Sequence, residues 1–142
     1  MADQTNTPEE WRLLAERDMA VADHLVATMK PVPAEIIAYH CQQAAEKYLK
    51  GALVIIGEDP PYIHDLNKLC KLAIKHRPSF GSIMVPCAVI TQFSVQPRYD
   101  FGLSLSEDDM RLVLVHTKTI KEFLQKEIPE LFGEKVKTNV KS

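Results

Sequence analysis

The chain has 142 residues, 46% of them apolar and 25% charged, which suits one globular domain with a buried core. A net charge of −2 argues against a broadly basic nucleic-acid-binding surface, and three widely spaced cysteines argue against a disulfide framework or a zinc site. The longest apolar run, 52–56, is too short to span a bilayer, and no signal-peptide pattern stands at the start, so we expect a cytoplasmic protein without a membrane segment.

The first predicted helix runs from Pro8 to Met29. Thr7 is its expected N-cap, because Pro8 favours the first helical position and Glu10 completes a capping box. Apolar residues then recur every three or four positions from Trp11 onwards, which is typical of a helix with one buried face.

Asp18 is the one polar residue in that apolar stripe. A carboxylate that leaves water is unstable without a partner. We therefore expect Arg98 or His40 beside Asp18, as a bond between two helices or two subunits.

The second predicted helix extends from 34 to 57, opens at Pro33 and has Gly57 as its C-cap. Two stripes of contrasting chemistry follow its length. The apolar stripe predicts a face in the core and consists of Ile37, Cys41, Ala44, Ala45, Tyr48, Ala52 and Ile55. The polar stripe consists of His40, Gln43, Lys47 and Lys50. Glu46 stands four positions before Lys50, in the order that favours an ion pair along a helix.

The third predicted helix follows an extended connection over 58–62. Its N-cap is Asp65, or His64 just before it, and it ends at His76 because a proline follows two residues later. The next apolar segment, 83–93, is ambiguous between helix and strand because of its β-branched residues. We assign it as a helix, since a single strand has nothing to pair with.

The longest irregular stretch, 95–105, precedes the last helix. That helix is predicted from a second capping-box-like start at Ser106 to about Ile128, with Pro129 interrupting the chain and Gly133 ending it. Helices joined by short connections predict an all-α, up-and-down antiparallel helical bundle of about five helices.

One domain is expected over 8–132, with a frayed N-terminus at 1–7 and a disordered tail at 133–142. The chain shows no internal repeat and no second domain. The predicted core comprises Trp11, Leu14, Leu25, Ile37, Ala44, Tyr48, Ala52, Leu69, Ile90, Val113, Ile120 and Leu124.

The segment 40–53, HCQQAAEKYLKGAL, resembles the HEPN domain, named for higher eukaryotes and prokaryotes nucleotide-binding. His64-Asp65-Leu66 and Arg98-Tyr99 follow it in the order of that family, and the resemblance covers roughly 8–130. It implies an α-helical bundle, a homodimer, and pairing with a small nucleotidyltransferase in a toxin–antitoxin-like two-gene system.

Many members of that family are metal-independent ribonucleases that use an arginine followed, after four to six residues, by a histidine. Arg111 and His116 match this spacing, but Leu112 stands where the resemblance implies a polar residue. Residues five apart on a continuous helix lie about 140° from each other, so this pair would not converge within one protomer. The chain resembles the branch that lacks the motif.

We therefore predict a non-catalytic module that binds a nucleotide, a small nucleotidyltransferase, or both. The predicted ligand-binding residues are His40, Gln43, Lys47, Lys50, His64, Arg98 and Tyr99. Lysine and arginine would bind phosphate, imidazole would donate hydrogen bonds, and tyrosine would stack on a base. No cofactor and no metal site is expected, because the chain has no HExxH, P-loop or glycine-rich dinucleotide turn.

Plainer interpretations stay open for the same residues. Lys47 and Lys50 could form a solvated helix face, His64 could serve only to cap a helix, and Arg98 could pin a loop. Two alternative functions remain as well: a ribonuclease dimer acting on RNA through Arg111 and His116, and a structural homodimer that buries the polar stripe against its twin.

Overall fold

The computed structural model describes residues 6–93 and 105–133, and every regular element within these stretches is helical. Five α-helices are present there: α1 (Pro8–Thr28), α2 (Ala34–Ile55), α3 (Leu66–His76), α4 (Met84–Phe93) and α5 (Glu107–Glu127). Two 3-10 helices accompany them, η1 (Pro78–Ile83) before α4 and η2 (Pro129–Phe132) after α5. The predicted all-α bundle of about five helices is confirmed, including the helical assignment of 84–93.

Polar side chains fix the first turns of three helices, as their sequences predict. The Thr7 hydroxyl accepts a hydrogen bond from the Glu10 N–H at 3.1 Å, and the Glu10 carboxylate accepts one from the Thr7 N–H at 2.8 Å. Asp65 caps α3 by accepting from the Asn67 N–H at 2.9 Å. Ser106 caps α5 in the same manner. Each cap satisfies N–H groups that have no partner inside the helix.

The second helix is the centre of the bundle, because it packs against α1, α3, α4 and α5. Gly51 allows part of this packing: a Cβ atom there would lie 2.8 Å from Leu131 Cδ1 and 3.0 Å from Trp11 Cβ. The missing side chain therefore lets α1 and η2 approach the α2 backbone closely. One side of α2 reaches the surface, and it carries His40, Gln43 and Lys47 of the polar stripe together with the apolar Ile36 and Tyr39.

Two predicted core residues are less buried than expected. Leu14 and Leu25 are half-buried, whereas the other ten predicted core residues are buried. Among the described residues the backbone of α1 lies close to α2 and η2 only, and α5 reaches α1 through the Lys118–Asp23 ion pair. Since one neighbouring helix covers only a narrow face, leucines at the edge of the apolar stripe stay partly in contact with water.

No helix in the described part of the chain has both the length and the apolar character needed to cross a bilayer. Residues 1–5, 94–104 and 134–142 lie outside the description, and with them most of the expected frayed terminus and tail.

Candidate functional site

Asp18 of α1 joins two members of the polar stripe. Its Oδ1 lies 2.9 Å from His40 Nδ1, and its Oδ2 lies 2.6 Å from Lys47 Nζ. The expectation of His40 beside Asp18 is confirmed, as a bond between helices. Lys47 is an addition that the sequence did not indicate, and it compensates the charge of a carboxylate that is 9% exposed.

Glu46, which directly precedes Lys47 on α2, organises a second group. Glu46 Oε2 lies 3.3 Å from Lys50 Nζ, and His64 Nδ1 lies 3.0 Å from both carboxylate oxygens. The Lys50 ammonium also sits 5.5 Å from the ring centre of Trp11 and 5.7 Å from that of Tyr62. Aromatic faces attract cations, so this environment suits an ammonium group removed from water.

Burial separates the two lysines that the sequence places on one stripe. The Lys50 side chain is 1% exposed, whereas that of Lys47 is 23% exposed. Lys50 is thus held inside the bundle by Glu46 and two rings. The interpretation of both lysines as a solvated face is wrong for Lys50, and only Lys47 presents its charge at the surface.

His64 is held through its backbone and through its ring, and the ring is exposed. Its backbone carbonyl accepts a hydrogen bond from Gln42 Nε2 at 3.0 Å, and its side chain is 69% exposed although Nδ1 is held by Glu46. Gln43 donates to the Gln42 side chain at 3.1 Å, so the two amides form a short chain along α2. Asp65, not His64, caps α3.

Both histidines therefore have Nδ1 bound to a carboxylate and no partner for Nε2 among the described residues. In a neutral imidazole that donates through Nδ1, Nε2 is an acceptor; in the protonated ring it is a donor. The charges around each carboxylate nearly cancel when the rings are neutral. The site can thus accept or donate at two outward-facing nitrogens, depending on protonation.

Two predicted ligand-binding residues, Arg98 and Tyr99, lie outside the described residues. Their position relative to Lys47 stays a prediction.

The alternative ribonuclease pair occupies one continuous helix. Arg111 is exposed and bonds Glu107 at 3.0 Å within α5. His116 Nδ1 is buried and has no hydrogen-bond partner among the described residues. Their five-residue separation on α5 keeps them on different faces of one protomer.

The described stretches contain neither a metal-binding cluster nor an exposed cysteine. No group of three or more His, Cys, Asp or Glu side chains there is arranged to hold a metal ion. The cysteines are buried, and burial raises the pKa of the Cys41 thiol to about 12, which keeps it protonated at neutral pH.

The comparison with known families agrees with this architecture. A family model described as the HEPN domain matches residues 8–128, which include all five α-helices and the polar stripe. The chain belongs to the HEPN domain family. No curated protein and no solved structure matches this HEPN domain.

Sequence reasoning missed several residues that build the site. The helical spacing predicts only Lys50 as a partner of Glu46, yet Glu46 also binds His64, which is 18 positions away. Trp11 and Tyr62 enclose Lys50, and Gln42 holds the His64 backbone. A helical repeat reveals neighbours within one helix, but these contacts join separate elements and leave no periodic signal.

Proposed function

We propose that this HEPN domain is a non-catalytic binding module whose polar stripe on α2 takes the phosphate of a nucleotide. The observation that carries the proposal is the group of Asp18, His40 and Lys47, in which a buried carboxylate holds an ammonium and an imidazole at the edge of the surface. Donors fixed in this manner lose little side-chain entropy when a ligand binds.

Lys47 supplies the charge and His40 the adjustable hydrogen bond. An ammonium has three donors, and Asp18 takes one of them, so two remain for phosphate oxygens. The outward nitrogen of His40 donates to phosphate only when the ring is protonated. His64, whose Nδ1 is held by Glu46 of α2, presents a second imidazole.

Calorimetry with ATP tests this proposal. A saturable heat of ATP binding is the expected result. The groups around the His40 ring are Asp18, Lys47 and Tyr39, and those around the His64 ring are Glu46, Lys50 and Tyr62.

The variant Lys47→Gln should bind ATP at least about tenfold more weakly, because it loses one charge-assisted contact worth about 1.5 kcal/mol. Lys121→Gln on α5 changes the net charge equally and should bind like the parent protein. Equal affinities of both variants, or no heat of binding, would overturn the nucleotide site.

The same proposal includes a protein partner, a small nucleotidyltransferase encoded nearby, bound by a homodimer of this chain in a toxin–antitoxin-like pair. Family membership supports the assignment. Co-expression with the product of an adjacent nucleotidyltransferase gene should give a complex of constant stoichiometry in size-exclusion chromatography. Separate elution of the two proteins at micromolar concentrations would remove the partner from the proposal and leave the nucleotide site to its own test.

A further inference from the structure

A second charged surface lies on α3 and is formed by residues outside the polar stripe. Lys68, Lys71 and Lys75 line a shallow groove of about 380 Å³ whose apolar floor is made by Ile63 and Leu72. We name these five residues the α3 groove. The lysines recur at three- and four-residue steps, so they share one face of the helix and lie about 4.5 and 6 Å apart along its axis.

The lysines of the α3 groove have no ion-pair partner among residues 6–93 and 105–133. α3 itself contains no acidic residue. Of the nearest acids in sequence, Asp65 caps the helix, Glu58 bonds His76 at 3.0 Å, and the exposed Asp59 forms no ion pair with a lysine of the groove. In a chain of net charge −2, the groove concentrates positive charge that no ion pair compensates within the described stretches.

We propose that the α3 groove is a docking surface for an acidic amphipathic segment of a partner protein. Apolar side chains of that segment would lie between Ile63 and Leu72, and its carboxylates would meet Lys68, Lys71 and Lys75. Apolar anchors in a groove with charges at the rim are the usual way in which an amphipathic helix is bound, and charge complementarity selects an acidic one.

The floor of the groove decides against two other polyanions. Single-stranded nucleic acid binds to basic surfaces that carry aromatic platforms for its bases, and the floor here is aliphatic. Anionic membranes are recognised by clusters of roughly four to eight basic residues, whereas the groove has three and is concave. This inference does not depend on the nucleotide site, because none of the residues of the α3 groove belongs to the polar stripe.

Fluorescence anisotropy with a labelled synthetic peptide tests the proposal on the full-length chain. The probe is an 18-residue helical peptide with leucines on one face and glutamates beside them. It should bind in a saturable manner at low salt, and binding should weaken as salt is raised. A peptide of equal charge with serines in place of the leucines should bind at least about tenfold more weakly, because it lacks the apolar anchors.

The triple variant Lys68→Gln, Lys71→Gln, Lys75→Gln should weaken binding of the leucine peptide at least about tenfold. The control is Lys30→Gln, Lys121→Gln, Lys126→Gln, which removes the same charge from other surfaces and should leave the affinity unchanged. Circular dichroism of both variants should match that of the parent chain, since these side chains lie at the surface.

Four results would overturn the proposal. They are no saturable binding up to about 1 mM peptide, equal affinity for the leucine and serine peptides, equal loss in the two triple variants, and tighter binding of a 16-nucleotide oligouridylate or of phosphatidylserine vesicles than of the leucine peptide. The last result would assign the groove to nucleic acid or to a lipid surface instead.

Discussion

Two helices of this HEPN domain carry basic side chains on one face, and they hold them in opposite ways. On α2, Lys47 and Lys50 are bound by Asp18 and Glu46, carboxylates that are 9% and 4% exposed. On α3, three lysines stand at the surface without a carboxylate partner in the described part of the chain. The charges of α2 are therefore part of the fold, whereas those of α3 contribute little to it and are available to a partner.

The difference follows from what each helix packs against. α2 lies at the centre of the bundle. A charged residue on it must therefore either pair with an opposite charge or lie on the side of the helix that reaches the surface. α3 buries Leu66, Leu69, Cys70 and Ala73, with Leu72 and Ile74 partly buried beside them, and its lysines lie in water. A lysine in water needs no partner within the fold, so its ammonium group can bind another molecule.

The largest effect is expected at Glu46. Glu46→Gln removes a carboxylate from a lysine whose side chain is 1% exposed, and breaking a buried ion pair destabilises a protein by about 3–5 kcal/mol. We expect a decrease of about 3 kcal/mol in the free energy of unfolding, measured with urea. Glu122→Gln, at an exposed site on α5, is the control and should change stability by less than about 0.5 kcal/mol.

A companion variant separates charge from shape at this position. Glu46→Leu combined with Lys50→Met should be more stable than Glu46→Gln alone, since it leaves no buried ammonium behind. If Glu46→Gln lowers stability by under about 1 kcal/mol, Lys50 does not depend on this carboxylate, and the contrast with α3 is lost.

The buried face of α2 should produce the next largest effect, through pH. Burial raises the pKa of Cys41 from 9.0 to about 12. Because the folded-state pKa is the higher one, this stabilisation is complete below pH 9 and is lost as the pH rises towards 12. At 1.36 kcal/mol per pH unit, the thiol should account for a loss of about 2–3 kcal/mol between about pH 9.5 and 11.5.

Urea unfolding at several pH values measures this loss, and the variant Cys41→Ala should show a shallower decline. Tyr48 adds to the decline in both proteins, since burial also raises the pKa of its hydroxyl. If the free energy of unfolding falls equally with pH in the parent and in Cys41→Ala, the thiol has the same protonation in the folded and unfolded states over this range.

A smaller loss is expected at Asp18. Asp18→Asn weakens the bonds to His40 and Lys47, but both partners reach water, with side chains 26% and 23% exposed. The expected decrease is about 1–2 kcal/mol, less than that at Glu46, because no charge is left fully buried. A thermal or urea unfolding curve measures it, and a decrease larger than that of Glu46→Gln would reverse the ranking of the two carboxylates.

The smallest effect, and of opposite sign, is expected on α3. Lys68 and Lys71, and Lys71 and Lys75, are like-charged neighbours on one helix face, which destabilises a helix by a few tenths of a kcal/mol per pair. Changing all three to glutamine should leave stability unchanged or raise it by up to about 0.5 kcal/mol. A decrease above about 1 kcal/mol in urea unfolding would mean that these lysines have a structural role.

Much of the fold is contained in local patterns. The capping sequences at Thr7, Asp65 and Ser106 predicted three helix starts, and apolar spacing predicted α1, α2 and α5 to within about two residues. The short 3-10 helices were not predicted, since single turns of this kind have no extended repeat. Leu14 shows the limit of periodicity, because its burial depends on how many neighbours α1 has.

The candidate site could be predicted from local sequence patterns only in part. The sequence placed four polar residues on one stripe of α2 and identified Asp18 as a carboxylate that needs a partner. It did not indicate that Glu46 would hold His64 or that Lys50 would be enclosed by Trp11. These contacts depend on how separate elements meet in space.

The amino-acid order alone determined which segments are helices, which face of each is apolar, and the membership of the HEPN family, since these depend on spacing within short windows. Tertiary structure alone decided that the lysine at position 50 is buried beside a carboxylate while those of α3 are not. The physical reason is that the free energy of a charge depends on its distance from water and from opposite charges, and in a folded chain both distances are set by packing between helices.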